Sequence, residues 1–402
     1  MKQPVSILVF IYNSYKDPLF QNLILSYIKT LSQNGSYRFD LITFEQPQYA
    51  LSPSERRQEK ESLKEWGIHW HPRQFQTGRF LLIKKAMNVL ETFWSVLRIK
   101  IRHKSTYTFA FANVSAAIAI LFSPLLRMKL VIYSYEPHSD FMVEMGHWKT
   151  SSIKYKILHK LEQWAGKYAD HILTGTRHMV EKLQKEGTRA TVHRAPTAVD
   201  PEIFRFDEAK RKQIRHELNI GSRHLFIYPG KLGGLYYEKE LIDLFGSIYE
   251  EDSNSFFLIA TDYDHKTIES WFQESNIPSD NYQVREFIPF TEMPAYLSAS
   301  DMGIVAIPPT PSQKFRSPTK VAEYLLCGLP YVVCRGVSED DNIAEEKQVG
   351  VCLDEFSSMA ITKHIQDIQE VILKHTRTQN REIGLAYRSK LRIDHILKDT
   401  FI

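Results

Sequence analysis

The stretch that most restricts the fold is residues 317–333, SPTKVAEYLLCGLPYVV. Ser317 and Pro318 read as an N-cap followed by proline at the first helical position, opening a helix through Val321, Ala322, Tyr324 and Leu325. Cys327, Gly328, Leu329 and Pro330 stop it, and the run from Tyr331 to Val333 is short, apolar and rich in β-branched residues. A helix that feeds a strand without a polar face belongs to a parallel sheet covered on both sides.

The same alternation runs along the chain. Strands are expected at residues 5–12, 39–44, 68–70, 107–112, 130–135 and 171–174, then at 223–228, 256–260, 282–285 and 303–306. Helices are expected between them, among them 19–34, 54–66, 79–104, 114–122, 153–168, 177–185 and 238–249. A chain of 402 residues is too long for one compact core and suggests two domains of about 200 residues. The segment RAPTAVDPEIFRF, with Pro196 and Pro201, marks the linker.

Charge divides along the same line. Residues 1–200 hold 28 Lys/Arg and 16 Asp/Glu, a net +12, and residues 201–402 hold 23 and 31, a net −8. The basic half suggests an anionic partner such as a phosphorylated lipid or a membrane surface, with plain solvated lysines as the alternative. Helix 79–104 combines Phe93 and Trp94 with Lys84, Lys85, Arg98, Lys100, Arg102 and Lys104, so it either lies on anionic lipid or packs on the sheet with a solvated basic face. The most apolar run, 109–126, contains Asn113, Ser115, Ser123 and Pro124 and reads as strand plus helix, not as a membrane span. Residues 1–4 lead straight into a strand-like run, so no cleavable leader is expected. Cys327, Cys334 and Cys352 have neither disulfide nor zinc spacing and are expected as reduced core residues of a cytosolic protein.

Three segments carry chemistry. The positive end of the helix at Pro318, Thr319 and Lys320 suits a phosphate, and Glu323, a turn further in, suits a ribose diol. The turn YPGKLGG follows a predicted strand, where Gly230, Gly233 and Gly234 allow close approach and Lys231 is placed to clamp a diphosphate. At the carboxyl end of the 130–135 strand, Glu136, His138 and Asp140 point toward a ligand crevice, with structural caps or a salt bridge as the alternative for each. Asp262 and Asp264 form a DxD pair that reads as a chance match.

SPTKVAEYLLCGLP resembles the donor helix of retaining GT-B glycosyltransferases of the large family-four, sucrose-synthase-like group, in the bacterial form. That group has a Glu-x₇-Glu pair; Glu323 matches its second glutamate, and Phe315 stands at the first. The resemblance extends to the Gly-Lys turn at 230–231, to FTEMPAYLSASD, and to the crossing at residues 196–204.

It implies an α/β GT-B fold, two Rossmann-like domains facing an interdomain cleft. Residues 1–195 would bind the acceptor, 196–380 the donor, and 381–402 would form a helix crossing back to brace the first domain. It implies transfer of a sugar, with retention, from a nucleotide-diphosphate sugar to a glycan or lipid-linked acceptor in bacterial surface polysaccharide synthesis, by a cytoplasmic protein that can sit peripherally on the inner membrane face. A GT-B-like nucleotide-sugar epimerase and a catalytically silent membrane-associated scaffold are the alternatives. Gly230, Lys231, Gly233, Ser317, Pro318, Thr319, Lys320 and Glu323 are the expected donor contacts, and Asn13, Tyr15, Glu136, His138 and Asp140 the expected acceptor contacts. Lys231, Glu323 and His138 are the expected catalytic groups. Neither metal nor cofactor nor nucleic acid is implied.

Overall fold

The computed structural model describes residues 3–33, 35–76, 81–134, 136–374 and 376–402, with backbone alone for 81–86. The chain divides into two units, one running to Ala195 and including Ile393–Ile402, the other Pro196–Arg392.

In the first unit, strands β1 (Val5–Ile11), β2 (Tyr37–Glu45), β3 (Ile68–Gln74), β4 (Tyr107–Phe111), β5 (Lys129–Ser134), β6 (His171–Thr174) and β7 (Thr191–Arg194) form one parallel sheet. Its order among the described residues is β3-β2-β1-β4-β5-β6-β7. Ile7 to Ile11 are buried without interruption because helices cover both faces of a central parallel strand. The tail packs against the middle of this sheet: Phe401 places its ring 5.3 Å from Tyr107 and 5.6 Å from Phe109, both on β4.

In the second unit, β8 (His224–Pro229), β9 (Ser255–Ala260), β10 (Tyr282–Arg285), β11 (Met302–Val305), β12 (Tyr331–Cys334) and β13 (Gly350–Leu353) form a second parallel sheet, ordered β10-β9-β8-β11-β12-β13. In both sheets the direction of winding reverses once, between β1 and β4 and between β8 and β11. Open α/β sheets take ligands beyond the carboxyl ends of the strands flanking such a reversal.

Several expectations are corrected here. The short helix His138–Glu144, the strand β7 and the helices Glu208–Glu217 and His265–Glu274 are elements that the sequence reading does not name. The tail is two helices, Arg377–Arg388 and Lys390–Thr400, where one had been expected. Residues 381–392 belong to the second unit, so the segment that joins the first is 393–402. The reason is chemical: Arg377 and Arg381 donate to the carbonyls of Cys327 and Leu326, at the C-terminal end of the helix Thr319–Leu326. The expected helix start at Arg79 and the strand end at Tyr135 lie outside the described residues. Cys327, Cys334 and Cys352 are free thiols, all buried, and burial pushes each up to about 12. No helix of the described residues is long and apolar enough to cross a membrane.

Candidate functional site

The reversal between β8 and β11 places two segments together. The glycine turn 230–234 leaves the end of β8, and the helix Thr319–Leu326 follows the loop after β11. Tyr228, the penultimate residue of β8, donates its hydroxyl to the Lys231 carbonyl and so fixes the start of the turn. Gly233, at φ +76°, then bends the chain back. Tyr324 donates to the Ile304 carbonyl at 3.0 Å, tying the helix to β11.

Lys320 connects the two segments. A Cβ on Gly230 would lie 2.5 Å from Lys320 Cε and 2.6 Å from Nζ, so glycine is what lets the lysine lie across the turn. Its ammonium stands 5.5 Å from the Tyr228 ring centroid and 5.2 Å from that of Tyr236, both attractive cation–π distances. Lys231, the next residue of the turn after Gly230, is exposed. Lys239, the next lysine along the chain, is held by Asp243 at 2.8 Å and Glu274 at 3.5 Å.

The helix begins at Thr319 with Pro318 as its cap residue and no side-chain cap. This corrects the reading of Ser317 as the cap. Ser317 is buried, and its Oγ accepts from the Thr197 amide at 3.0 Å and from Arg388 Nη1. With the serine engaged elsewhere, no side chain caps the first amides of the helix.

Glu323 follows one turn later. It keeps a partly exposed surface yet is packed closely enough that burial raises its carboxyl to about 7, with Lys320 opposing the shift. No hydrogen bond to this carboxyl is made by the described residues. A half-buried acid without a protein donor fits a ligand that brings hydroxyl groups. Phe315 ends a short 3₁₀ turn before the helix, with the Lys314 ammonium 5.1 Å from its ring. Asp264 caps the helix His265–Glu274 by accepting from the Thr267 amide at 2.9 Å, which accounts for half of the DxD pair. Among the described residues, no group of three or more His, Cys, Asp or Glu is placed to hold a metal ion.

The first unit treats the expected acceptor residues unequally. Tyr15 is a core residue: it is 2% exposed, packs its ring 4.4 Å from that of Trp70 at a tilt of 34° and donates to Glu59 at 2.9 Å. Burial raises its phenol far above the usual range. Asn13 donates to Asp17 at 3.1 Å inside its own loop. Glu136 and His138 are half-buried after β5, the carbonyl of Glu136 accepting from Asn113 and the ring of His138 lying 6.0 Å from Phe141. Asp140 accepts from Tyr155 at 2.9 Å and lies 3.4 Å from His159.

Sequence reading missed Glu162 and His159 of helix Ile153–Tyr168. Ser139 Oγ lies 3.1 Å from His159 Nδ1 and bonds Glu162, and burial first, then Asp140 and Glu136, push the Glu162 carboxyl up to about 7 against the Ser139 bonds. With Asp140 they line a cavity of about 50 Å³, the scale of a water molecule or two and too small for a sugar ring. Only a polar residue on the inward face of that helix could have signalled it.

No family model matches the chain, and no curated protein matches its sequence. Solved structures do match in fold. HepE of Anabaena, solved with UDP and glucose, aligns at TM-score 0.71 and 15% identity, over 98% of this chain and 99% of its own. Sucrose-phosphate synthase of Thermosynechococcus elongatus aligns at 0.68 and 12% identity, over 100% and 98%. The fold is GT-B. WaaG, a glycosyltransferase involved in lipopolysaccharide biosynthesis, shares this GT-B fold at TM-score 0.65 and 13% identity, over 98% of this chain and 99% of its own.

Proposed function

We propose that the chain is a glycosyltransferase that takes a sugar from a nucleotide-diphosphate sugar and passes it, with retention, to a glycan or lipid-linked acceptor. The observation that carries this reading is Lys320 lying across Gly230, which brings two cationic side chains and an uncapped helix start to the carboxyl end of β8. An anionic diphosphate is the ligand that such a place suits. The ribose of the nucleotide would donate to Glu323.

In the reaction, the bond between the anomeric carbon and the diphosphate oxygen breaks and its electron pair passes to that oxygen. The acceptor hydroxyl oxygen bonds to the anomeric carbon, and its proton leaves with the diphosphate. Negative charge grows on the departing phosphate, where the Lys231 and Lys320 ammonium groups and the amides at Thr319 and Lys320 oppose it without reorganising. Glu136, His138 and Asp140 are proposed to meet the acceptor, with His138 at the hydroxyl.

HepE is described with UDP, UDP and glucose, and UDP-glucose, and this supports starting with uridine donors. WaaG's part in lipopolysaccharide biosynthesis supports a place in bacterial surface glycan synthesis. The test is a panel of nucleotide sugars, with and without lipid-linked acceptors, read by release of nucleoside diphosphate and by the anomeric signal of the product. Transfer with retained configuration supports the reading. Interconversion of the nucleotide sugar alone would establish the epimerase, and binding without turnover the silent scaffold.

A further inference from the structure

The helix Ile153–Tyr168 turns an unusual face to solvent. Ile153, Ile157, Trp164 and Tyr168 are 63%, 54%, 45% and 48% exposed. At 3.6 residues per turn they fall within about 60° of one another, a continuous apolar stripe. Lys156, Lys160 and Lys167 form a second stripe along its flank, with Lys154 on the other side.

These lysines form no ion pairs among the described residues. On other exposed helices, lysines pair with acids one turn away, as in Lys182–Glu186, Lys239–Asp243 and Lys374–Glu370. Here Lys160 instead stands 5.9 Å from the Trp164 ring, and Lys167 and Arg189 stand 5.6 and 5.2 Å from the Tyr168 ring. Cations beside exposed aromatic rings keep their full charge available to an outside partner.

The surroundings extend the face. The connections from β3 to β4, β4 to β5 and β5 to β6 all step the same way across the sheet, so right-handed crossovers put their helices on one side of it. On the helix Leu81–His103, Met87, Leu90, Trp94 and Ile101 are exposed along one stripe, with Arg98 among them. Phe93 is half-buried, its ring 5.9 Å from Trp94, so of the two aromatics expected to face lipid it is Trp94 that faces out. Leu121 and Leu125, at the end of the helix between them, are exposed as well. From residue 87 to 168 the chain holds 11 Lys/Arg and 5 Asp/Glu, a net +6.

We propose that this side of the first unit, centred on helix Ile153–Tyr168, docks on an anionic lipid bilayer. Apolar side chains interleaved with unpaired lysines match such a surface on both counts: the stripe enters the headgroup region and the lysines meet lipid phosphates. A protein partner would be expected to meet these lysines with carboxylates in fixed places. The inference stands apart from the donor chemistry, because the face is used without nucleotide.

The test is cosedimentation of the full chain with phosphatidylcholine vesicles, with and without phosphatidylglycerol, at low and high salt. We expect binding to the anionic vesicles, weakened by salt because the attraction reaches about one Debye length. The pair Lys156→Glu and Lys160→Glu should lower the partition coefficient at least tenfold, since each cation near the surface contributes on the order of 1 kcal/mol. The pair Ile157→Ser and Trp164→Ser should lower it as well, with melting temperature and nucleotide affinity unchanged in both variants. No binding of the unaltered protein at low salt, equal binding to neutral vesicles, or variants that bind like it would overturn the proposal. A concentration-dependent dimer in light scattering, lost in the Ile157→Ser and Trp164→Ser protein without vesicle binding, would assign the face to a second copy of the chain and overturn it too.

Discussion

Arg388 and Asp340 meet inside the second unit as a fully buried ion pair, 48 residues apart in sequence. Burial pushes the Asp340 carboxyl up and the guanidinium opposes that shift. The same arginine donates to Ser317, two residues before the helix Thr319–Leu326. It therefore acts as a positioning residue for the helix start. Arg388→Ala leaves Asp340 buried and uncompensated, and should cost about 3–5 kcal/mol of stability in urea unfolding. Asp340→Asn in that background should recover part of the loss, which double-mutant analysis would read.

Gly230→Ala tests the contact with Lys320. The new methyl would meet the flexible end of the lysine, so the fold should tolerate it with a small change in melting temperature. Displacing the ammonium should weaken nucleoside diphosphate binding by roughly tenfold or more, the scale of a charge-assisted hydrogen bond. Calorimetric titration with UDP would show it. An unchanged affinity would remove Lys320 from the anion site.

What could be read from the sequence follows the range of the interactions involved. The helices Ile153–Tyr168 and Arg177–Lys185 and the strands β6 and β10 stand where apolar spacing put them. Strand β7, Thr-Val-His-Arg, lies at the sheet edge with no buried residue and has no apolar run to announce it. The glycine turn and the helix Thr319–Leu326 were legible because each is set by adjacent residues. The place of Ser317 was not, because its partners Thr197 and Arg388 lie 120 and 71 residues away. Tyr15 was misplaced for a related reason. Its loop looks polar, and only the packing against Trp70 shows the ring to be core.

Glu323 should make donor binding depend on pH. Its carboxyl stands at about 7 in the free protein, and a ribose diol would favour the ionised form. Affinity for a nucleotide sugar, whose esterified diphosphate does not titrate near neutrality, should rise as pH rises toward 7 and level off above it. The limit is about tenfold per pH unit on the acid side. Stability moves the opposite way: a raised acid pKa means that the unbound fold loses stability between its ordinary carboxylate range and about 7. Glu323→Gln should flatten both profiles and weaken binding at pH 8. A pH-independent affinity in the unaltered protein would sink the ribose contact.

Lys231 is the group most open to a departing phosphate, exposed at the head of the glycine turn. Charge on the leaving oxygen is small in the bound nucleotide sugar and large in the transition state. An ammonium aimed at that oxygen is therefore worth more in the transition state than in the ground state. Lys231→Ala should lower kcat by roughly ten- to a hundredfold, the loss of one charge-assisted contact, while KM for the donor changes far less. Steady-state kinetics over a range of donor concentrations would separate the two. If KM rises with kcat intact, Lys231 binds ground and transition states alike; if neither moves, Lys320 and the helix amides carry the charge without it.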